Sequence, residues 1–311
     1  MEITAAMVKQ LREMTGAGVM ACKKALVETD GDFDKAIEVL REKGEATAVK
    51  KAGRIAAEGV VRAEVRDDKT GVIVEVNSET DFVAKNEKFG AFVSDVVEQV
   101  FATNSTTAEE LLTEQFVKDN SKTVREELVS QIAVIGENLS IRRFAKINSD
   151  GIIVPYIHGG GRIGVLVEAN ADVVNDEVKD ALKNIAMQIA ALNPKYTNRD
   201  EVSEEFIAHE KEILLAQIKN DPKESQKPEK VIEGMINGRI NKEMKEICLL
   251  DQVYVKAEDG KQTVAQYVAE VAKATGSNLA IKGFVRYETG EGIEKKEENF
   301  AEEVAKQMGG N

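Results

Sequence analysis

The chain contains few histidines and cysteines, the side chains that most often bind metals or carry acid–base and nucleophilic chemistry. Its two histidines are His158 and His209, and neither stands at a metal-ligating distance along the sequence from a cysteine or a pair of carboxylates. Cys22 and Cys248 lie far apart and match neither a paired-ligand nor a disulfide pattern. Cys22 also falls within the apolar period of a predicted helix, which favours a small buried residue over a nucleophile. The sequence therefore predicts no catalytic residue and no metal site.

A run of glycines at residues 159–164 fits the letters of the G-x-G-x-x-G dinucleotide fingerprint. That fingerprint requires a helix after the glycines, whose amino terminus meets a pyrophosphate, and here a strand pattern follows. We therefore interpret the run as a tight hairpin turn and predict no cofactor. His158, beside this turn, is either an exposed turn residue or a contact for a partner. His209 is interpreted as a solvated helix residue.

The composition indicates a multidomain globular protein. A chain of 311 residues suggests two or three modules, with 42% hydrophobic residues to build cores and 31% charged residues to keep them in solution. The net charge of −13 would repel a polyphosphate backbone, so we expect no direct contact with nucleic acid. Neither a secretion signal nor a membrane-spanning apolar run is evident, so we expect a cytoplasmic protein that contacts no membrane.

Residues 4–52 read as a compact module of three helices. Thr4 can cap the first helix, and the other two are expected at residues 19–27 and 33–43. Gly44 is predicted to end the third helix, because glycine readily adopts the left-handed conformation that closes helices.

An internal repeat follows this module. From residue 59 the apolar period becomes that of strands, and a β-β-α unit is predicted over residues 59–101. A second hairpin is predicted at residues 151–170, related to the first by an offset of 93 residues. The identities at this offset pair Gly71 with Gly164, Val72 with Val165, Val74 with Val167, Glu75 with Glu168 and Asn77 with Asn170. The repeat predicts two related subdomains with antiparallel sheets.

The two copies differ in the connection between hairpin and helix. The helices align at an offset of 89 rather than 93, so the first copy carries four extra residues. The surplus falls at residues 78–85 and places Asp81 and Phe82 in a loop. A loop with an aromatic tip suits contact with a partner, whereas the alternative is that Phe82 packs into the protein's own core.

Two helical runs interrupt the second copy between residues 194 and 247. The polar, proline-containing stretch 221–228 joins them, which predicts an antiparallel helical hairpin of coiled-coil type. After it, residues 253–255 and 279–287 are expected to add strands to the second sheet. Residues 299–308 are expected to form a last short helix.

Several blocks of sequence occur in a characteristic order. Residues 14–26 read MTGAGVMACKKAL and residues 75–85 read EVNSETDFVAK. Further blocks lie at residues 135–143, 158–167 and 283–292. Together these blocks resemble the elongation factor Ts family over essentially the whole chain, and the combination of the Thr-Gly-Ala-Gly and Thr-Asp-Phe-Val motifs is highly specific.

The resemblance implies an α+β multidomain fold. Its parts are an N-terminal three-helix domain of the ubiquitin-associated (UBA-like) type, duplicated α/β core subdomains with antiparallel sheets, and an inserted antiparallel coiled coil. The implied bounds are residues 1–54 for the helical domain, 55–149 for the first core subdomain, 150–193 with 248–290 for the second, 194–247 for the helical hairpin and 291–311 for a C-terminal helical module.

The resemblance also implies a guanine nucleotide exchange factor rather than an enzyme. The implied partner is elongation factor Tu, bound as a single pair or in a 2:2 complex, and the implied act is release of GDP so that GTP can bind. In the family an Asp-Phe pair enters the GTPase and disturbs its magnesium and phosphate site. This role falls on Thr80, Asp81, Phe82 and Val83, with further implied contacts at Arg12, Val19, Met20, Ile135, Gly136 and His158.

This sequence departs from the family pattern at two places. Ala21 stands where the family carries an acid, and the glycines at 159–161 lengthen the turn beside His158. Two other classes of function stay open on sequence alone. One is an adaptor that scaffolds partners without affecting nucleotide release, and the other is an enzyme whose α/β core uses carboxylate or lysine chemistry.

Overall fold

The computed structural model describes residues 3–15 and 17–294. Within these residues the chain forms a mixed α+β fold of eleven α-helices and eight β-strands in antiparallel sheets. None of the helices in this part of the chain is both long and apolar enough to cross a membrane. The last helix expected at residues 299–308 lies outside the described residues, as does most of the expected C-terminal module.

Three helices open the chain: α1 (Ala5–Thr15), α2 (Val19–Glu28) and α3 (Phe33–Lys51). They enclose a small core that includes Leu11, Leu26 and the buried thiol of Cys22. The prediction that Gly44 ends the third helix is wrong, because α3 continues through it to Lys51. Gly44 lies where α3 packs against the later helix that contains Val129, and a Cβ at this position would make an ordinary van der Waals contact of 3.5 Å with Cγ1 of that valine.

The first copy of the repeat is a sheet of three strands with helices packed on one face. Its elements are β1 (Glu58–Arg66), β2 (Thr70–Ser78), α4 (Asp81–Ala84), α5 (Glu87–Ala102), α6 (Ala108–Thr113), β3 (Gln115–Phe116), β4 (Asp119–Thr123), α7 (Val124–Ile135) and β5 (Ser140–Asn148). Strand β2 lies between β1 and β5, while β3 and β4 form a separate small sheet. Phe89 and Phe92 of α5 and Ile132 of α7 pack onto the inner residues of β2. The hairpin and α5 were predicted, whereas the elements from α6 to β5 were not.

The second copy repeats this order around an insertion. Its elements are β6 (Ile152–His158), β7 (Ile163–Asn170), α8 (Asp176–Leu192), α9 (Glu204–Asn220), α10 (Glu229–Ile247), α11 (Val264–Thr275) and β8 (Ala280–Glu288). Strand β7 lies between β6 and β8, and α8 and α11 cover the sheet. The prediction of a strand at residues 253–255 is wrong. Val253 forms only an isolated bridge with Thr263 among the described residues, and the buried ring of Tyr254 stacks on Tyr267 at 4.0 Å between centroids.

Helices α9 and α10 form a helical hairpin within the second copy. Residues 221–228 join them, and Arg239 binds Glu224 at 2.8 Å near this turn. At the other end, Ile240 and Met244 pack with Val202 in a small apolar cluster. The hairpin therefore has its own small core at its base, beside Tyr196 and Cys248.

The two sheets face each other, so the core has four layers: helices, sheet, sheet and helices. Ile73 and Leu166, which the sequence repeat makes equivalent, both lie in the apolar layer between the sheets. Gly71 and Gly164, which are also equivalent in the repeat, both face this layer. A Cβ on Gly71 would lie 2.9 Å from Cγ2 of Ile153, and one on Gly164 would lie 2.5 Å from Cγ1 of Val61. The absence of a side chain at both glycines lets the sheets approach closely.

Candidate functional site

The segment that distinguishes the two copies forms a capped helical turn directly after β2. Thr80 is the N-cap of α4, and its hydroxyl oxygen accepts a hydrogen bond from the amide of Val83 at 3.4 Å. The side chain of Val83 packs against the core of the first copy. Thr80 and Val83 thus attach the turn to the protein, while Asp81 and Phe82 lie on its exposed side.

Phe82 is 82% exposed, the highest value of any large hydrophobic side chain in the described part of the protein. It does not pack into the protein's own core, which removes that alternative. Single exposed hydrophobic residues are common on protein surfaces. Phe82 stands on a turn whose backbone is held by several hydrogen bonds.

Asp81 forms an exposed ion pair within the same turn. Lys85 donates a hydrogen bond to its carboxylate at 2.7 Å. That bond lowers the pKa of Asp81, so its side chain is an anion at neutral pH. Since both side chains are largely exposed, the pair can rearrange at little cost when a partner presents a donor to Asp81.

Glu137 fixes the backbone of the turn from a distant part of the chain. Its carboxylate accepts hydrogen bonds from the amides of Glu79 and Thr80, each at 3.0 Å, and from the Thr80 hydroxyl at 2.6 Å. In return the Glu79 carboxylate accepts a hydrogen bond from the amide of Asn138 at 2.6 Å. The two segments therefore brace each other through a pair of glutamates.

Ile135 and Gly136 lie beside this brace. Helix α7 ends at Ile135, and Gly136 closes it in the left-handed conformation with φ of 86°. Lys51, at the end of α3, donates a hydrogen bond to the Gly136 carbonyl. The structure thus brings Ile135 and Gly136 next to the Thr80–Val83 turn, although their positions are 52 and more residues apart in sequence.

His158 lies at the same end of the sheets. It is the last residue of β6, and its Nδ1 is 3.0 Å from the Tyr156 hydroxyl. The predicted glycine turn follows, and the Gly161 carbonyl accepts a hydrogen bond from the Val61 amide at 2.6 Å. Val61 is near the start of β1, the end that pairs with Ser78, and Ser78 leads into the Thr80–Val83 turn.

Arg12, Val19 and Met20 are exposed on the first two helices. Val19 and Met20 begin α2, and the exposed Met14 lies on the preceding helix. The contacts of the described residues do not join this surface to the Thr80–Val83 turn. It is a second candidate contact area on the N-terminal module.

Sequence reasoning did not identify the anchoring roles of Glu79 and Glu137. Both residues lie in the sequence blocks that carry the family resemblance, but their contact joins positions 58 residues apart. An available signal was the order Gly136-Glu137-Asn138, a helix-closing glycine followed by polar residues. Among the described residues, no group of three or more His, Cys, Asp or Glu side chains is arranged to hold a metal ion.

Comparison with known proteins points to one family. The family model described as "Elongation factor TS" matches residues 79–291, beginning at the first braced glutamate. Elongation factor Ts of Clostridium botulinum (strain Eklund 17B / Type B) is 53% identical over 309 residues, which cover 99% of each chain. Elongation factor Ts of Clostridioides difficile (strain 630) is 53% identical over 307 residues, covering 98% of this chain and 99% of that relative.

Proposed function

The chain belongs to the elongation factor Ts family and has a role in translation elongation, and on this premise we propose that it is the guanine nucleotide exchange factor of elongation factor Tu. It binds the GDP-bound GTPase, promotes release of GDP and so allows GTP to bind. It makes and breaks no covalent bond, and it acts where translation takes place, in the cytoplasm.

The Thr80–Val83 turn carries this activity in our proposal. Phe82 enters an apolar site between elements of the GTPase, Asp81 exchanges its contact with Lys85 for one with the partner, and the magnesium and phosphate site is disturbed. The single observation that supports this most is a phenylalanine that is 82% exposed on a turn held by Glu137.

Thermodynamic linkage supplies the mechanism. A factor that binds the nucleotide-free GTPase more tightly than the GDP-bound form must weaken GDP binding by the same factor. Burying the ring of Phe82 in the complex contributes about 2 kcal/mol. This amount corresponds to roughly 30-fold in an equilibrium constant, and no reacting group of the factor itself is needed.

Further contacts are proposed on the same basis. Ile135, Gly136 and His158 flank the turn at one end of the sheets and extend its contact area. The surface formed by Arg12, Val19 and Met20 provides a second contact through the N-terminal module. The complex contains either one factor and one GTPase or two copies of each.

We propose the following division of the chain. A UBA-like helical domain covers residues 1–54, the core subdomains cover 55–149 and 150–193 with 248–290, a coiled-coil hairpin covers 194–247, and a C-terminal module covers 291–311. Support comes from the separate apolar clusters of the three N-terminal helices, of each sheet with its helices, and of the hairpin base.

The test is stopped-flow release of a fluorescent GDP analogue from elongation factor Tu at several magnesium concentrations. Wild-type protein should accelerate release strongly, and Phe82→Ala should reduce the acceleration by roughly 30-fold at subsaturating factor. The effect of Phe82 should shrink when magnesium is removed, because the turn then has no bound ion left to disturb.

Val117→Ala is the matched control, since Val117 is an exposed apolar residue of the first copy outside the proposed contacts. With this variant, elongation factor Tu should release GDP as fast as with the wild-type protein. Acceleration that survives Phe82→Ala would move the mechanism to other contacts. No acceleration by the wild-type protein would favour a scaffold.

A further inference from the structure

The brace between Glu79–Thr80 and Glu137–Asn138 orders the turn before any partner is present. A carboxylate that accepts two amide hydrogen bonds and one hydroxyl hydrogen bond makes charge-assisted contacts, which are stronger than neutral ones. Each contact of Glu137 falls on the residues immediately before Asp81 and Phe82. Its side chain is half-buried, so water competes with these bonds less than at an open surface.

The Thr80 hydroxyl links the carboxylate to the helical turn. The Thr80 hydroxyl donates a hydrogen bond to Glu137. The lone pairs of the hydroxyl oxygen are therefore free to accept the hydrogen bond from the Val83 amide. Without Glu137 the hydroxyl could rotate and lose the cap. The single turn of α4 is too short to persist without its cap and its packing.

The same brace is joined to the end of the N-terminal module. The Glu79 carboxylate lies 3.5 Å from the guanidinium of Arg54, and the Asn138 side chain donates to the Arg54 carbonyl at 2.8 Å. Among the described residues, the turn is held by β1, β2, Glu137 and the packing of Val83 against the core. Its exposed side carries Phe82.

We propose that Glu137 is a positioning residue, which holds the Thr80–Val83 turn so that Phe82 is displayed in the conformation that the GTPase binds. This rests on the proposed exchange function. Glu137 touches neither nucleotide nor magnesium and acts only through the turn. When the Glu137 carboxylate is removed, the Phe82 side chain is still present, but the turn must be ordered each time the GTPase binds. The free-energy cost of that ordering weakens binding.

The experiment compares GDP release from elongation factor Tu with wild-type protein, Glu137→Ala, Phe82→Ala and the double variant. Glu137→Ala should slow release roughly tenfold at subsaturating factor. Adding Glu137→Ala to Phe82→Ala should slow release much less than adding it to the wild type, because Asp81 is then the main contact on the turn left to position. A general loss of structure would instead slow both backgrounds equally.

Glu110→Ala is the matched control, since this glutamate also accepts a backbone hydrogen bond, from the Thr106 amide at 3.1 Å, but far from the turn in the hydrogen-bond network. It should match the wild-type rate. Glu137→Asp keeps the carboxylate and should recover part of the activity. Hydrogen exchange in the free protein should be faster at residues 79–84 of Glu137→Ala and unchanged in α5.

Three outcomes would overturn the positioning role. GDP release could be as fast with Glu137→Ala as with the wild-type protein, or Glu137→Ala could slow release by the same factor in wild-type protein and in Phe82→Ala. The third is unchanged amide hydrogen exchange at residues 79–84. The hydrogen-exchange result needs no GTPase, so it separates this role from the exchange function. If elongation factor Tu releases GDP as fast with Phe82→Ala as with the wild-type protein, the proposed action of the turn fails. Glu137 then has no exchange activity to support through Phe82.

Discussion

Glu75 and Glu168 are equivalent residues of the two copies, and each stands directly before a bulge in the pairing with its third strand. Their surroundings differ. Glu75 is fully buried and accepts hydrogen bonds from Arg142 at 2.9 Å, Arg143 at 2.6 Å and the Gly290 amide at 2.8 Å. Glu168 instead pairs with the half-exposed Lys282 at 2.7 Å. Because Gly290 follows β8, Glu75 joins the first sheet to the end of the second.

Replacing Glu75 by glutamine should therefore cost much more stability than the same change at Glu168. Glu75→Gln removes the charge that Arg142 and Arg143 share, and we expect the free energy of unfolding to fall by about 2–3 kcal/mol. Glu168→Gln weakens a single pair with the half-exposed Lys282 and should cost about 1 kcal/mol. Urea denaturation of both variants measures the difference, and equal losses would contradict the linking role of Glu75.

The repeat glycines give a second prediction. Gly164→Ala places a Cβ 2.5 Å from Val61, so the sheets must separate or distort. We expect a loss of about 1–3 kcal/mol in the free energy of unfolding. Gly71→Ala should cost less, because its closest contact, to Cγ2 of Ile153, is longer at 2.9 Å.

Gly90→Ala is the control for these two changes. Gly90 lies in α5, and a Cβ there would meet nothing within 4 Å. The variant should be neutral or more stable, because alanine favours a helix by up to about 1 kcal/mol over glycine. Thermal unfolding of the three variants should rank Gly90→Ala above Gly71→Ala and Gly164→Ala below both.

The parts of the fold that were predictable from sequence are those with a regular local pattern. Alternating apolar residues and the identities from Gly71 to Asn77 marked both hairpins, and their difference in offset located the turn that exposes Phe82. Gly44 was expected to end α3 because glycine often closes helices, but α3 continues to Lys51 and packs there on α7, which lies far away in sequence. The order Gly136-Glu137-Asn138 marked a loop, but the contact of Glu137 with the Thr80–Val83 turn could not be predicted because it depends on two loops meeting in space.

The helical hairpin offers a substitution that should stabilise the protein locally. Gly238 lies in the middle of α10, is exposed, and has nothing within 4 Å of the position of a Cβ. Gly238→Ala should stabilise α10 by about 1 kcal/mol. Amide exchange in α10 should then slow roughly fivefold where it occurs by local opening, while exchange in α5 stays constant. Faster exchange in α10 would indicate an unseen contact of Gly238.

Glu114 should make stability depend on pH in the acid range. Burial acts to raise its pKa, but hydrogen bonds from Thr103, Ser105 and Gln99 outweigh burial and lower the pKa below its ordinary value. A carboxyl with a lowered folded-state pKa stabilises the protein fully above the ordinary glutamate pKa of about 4.3. This contribution is lost as the pH falls from there through the folded-state pKa.

Glu114→Gln should accordingly be less stable than the wild type near neutral pH, and the difference should shrink as the pH falls from about 6 to about 3. The same substitution at the exposed Glu109, one turn earlier, controls for the general loss of negative charge. Urea denaturation across this pH range measures both. A stability difference between wild type and Glu114→Gln that stays constant with pH would mean that the hydrogen bonds to Glu114 do not favour its ionised form over its neutral one.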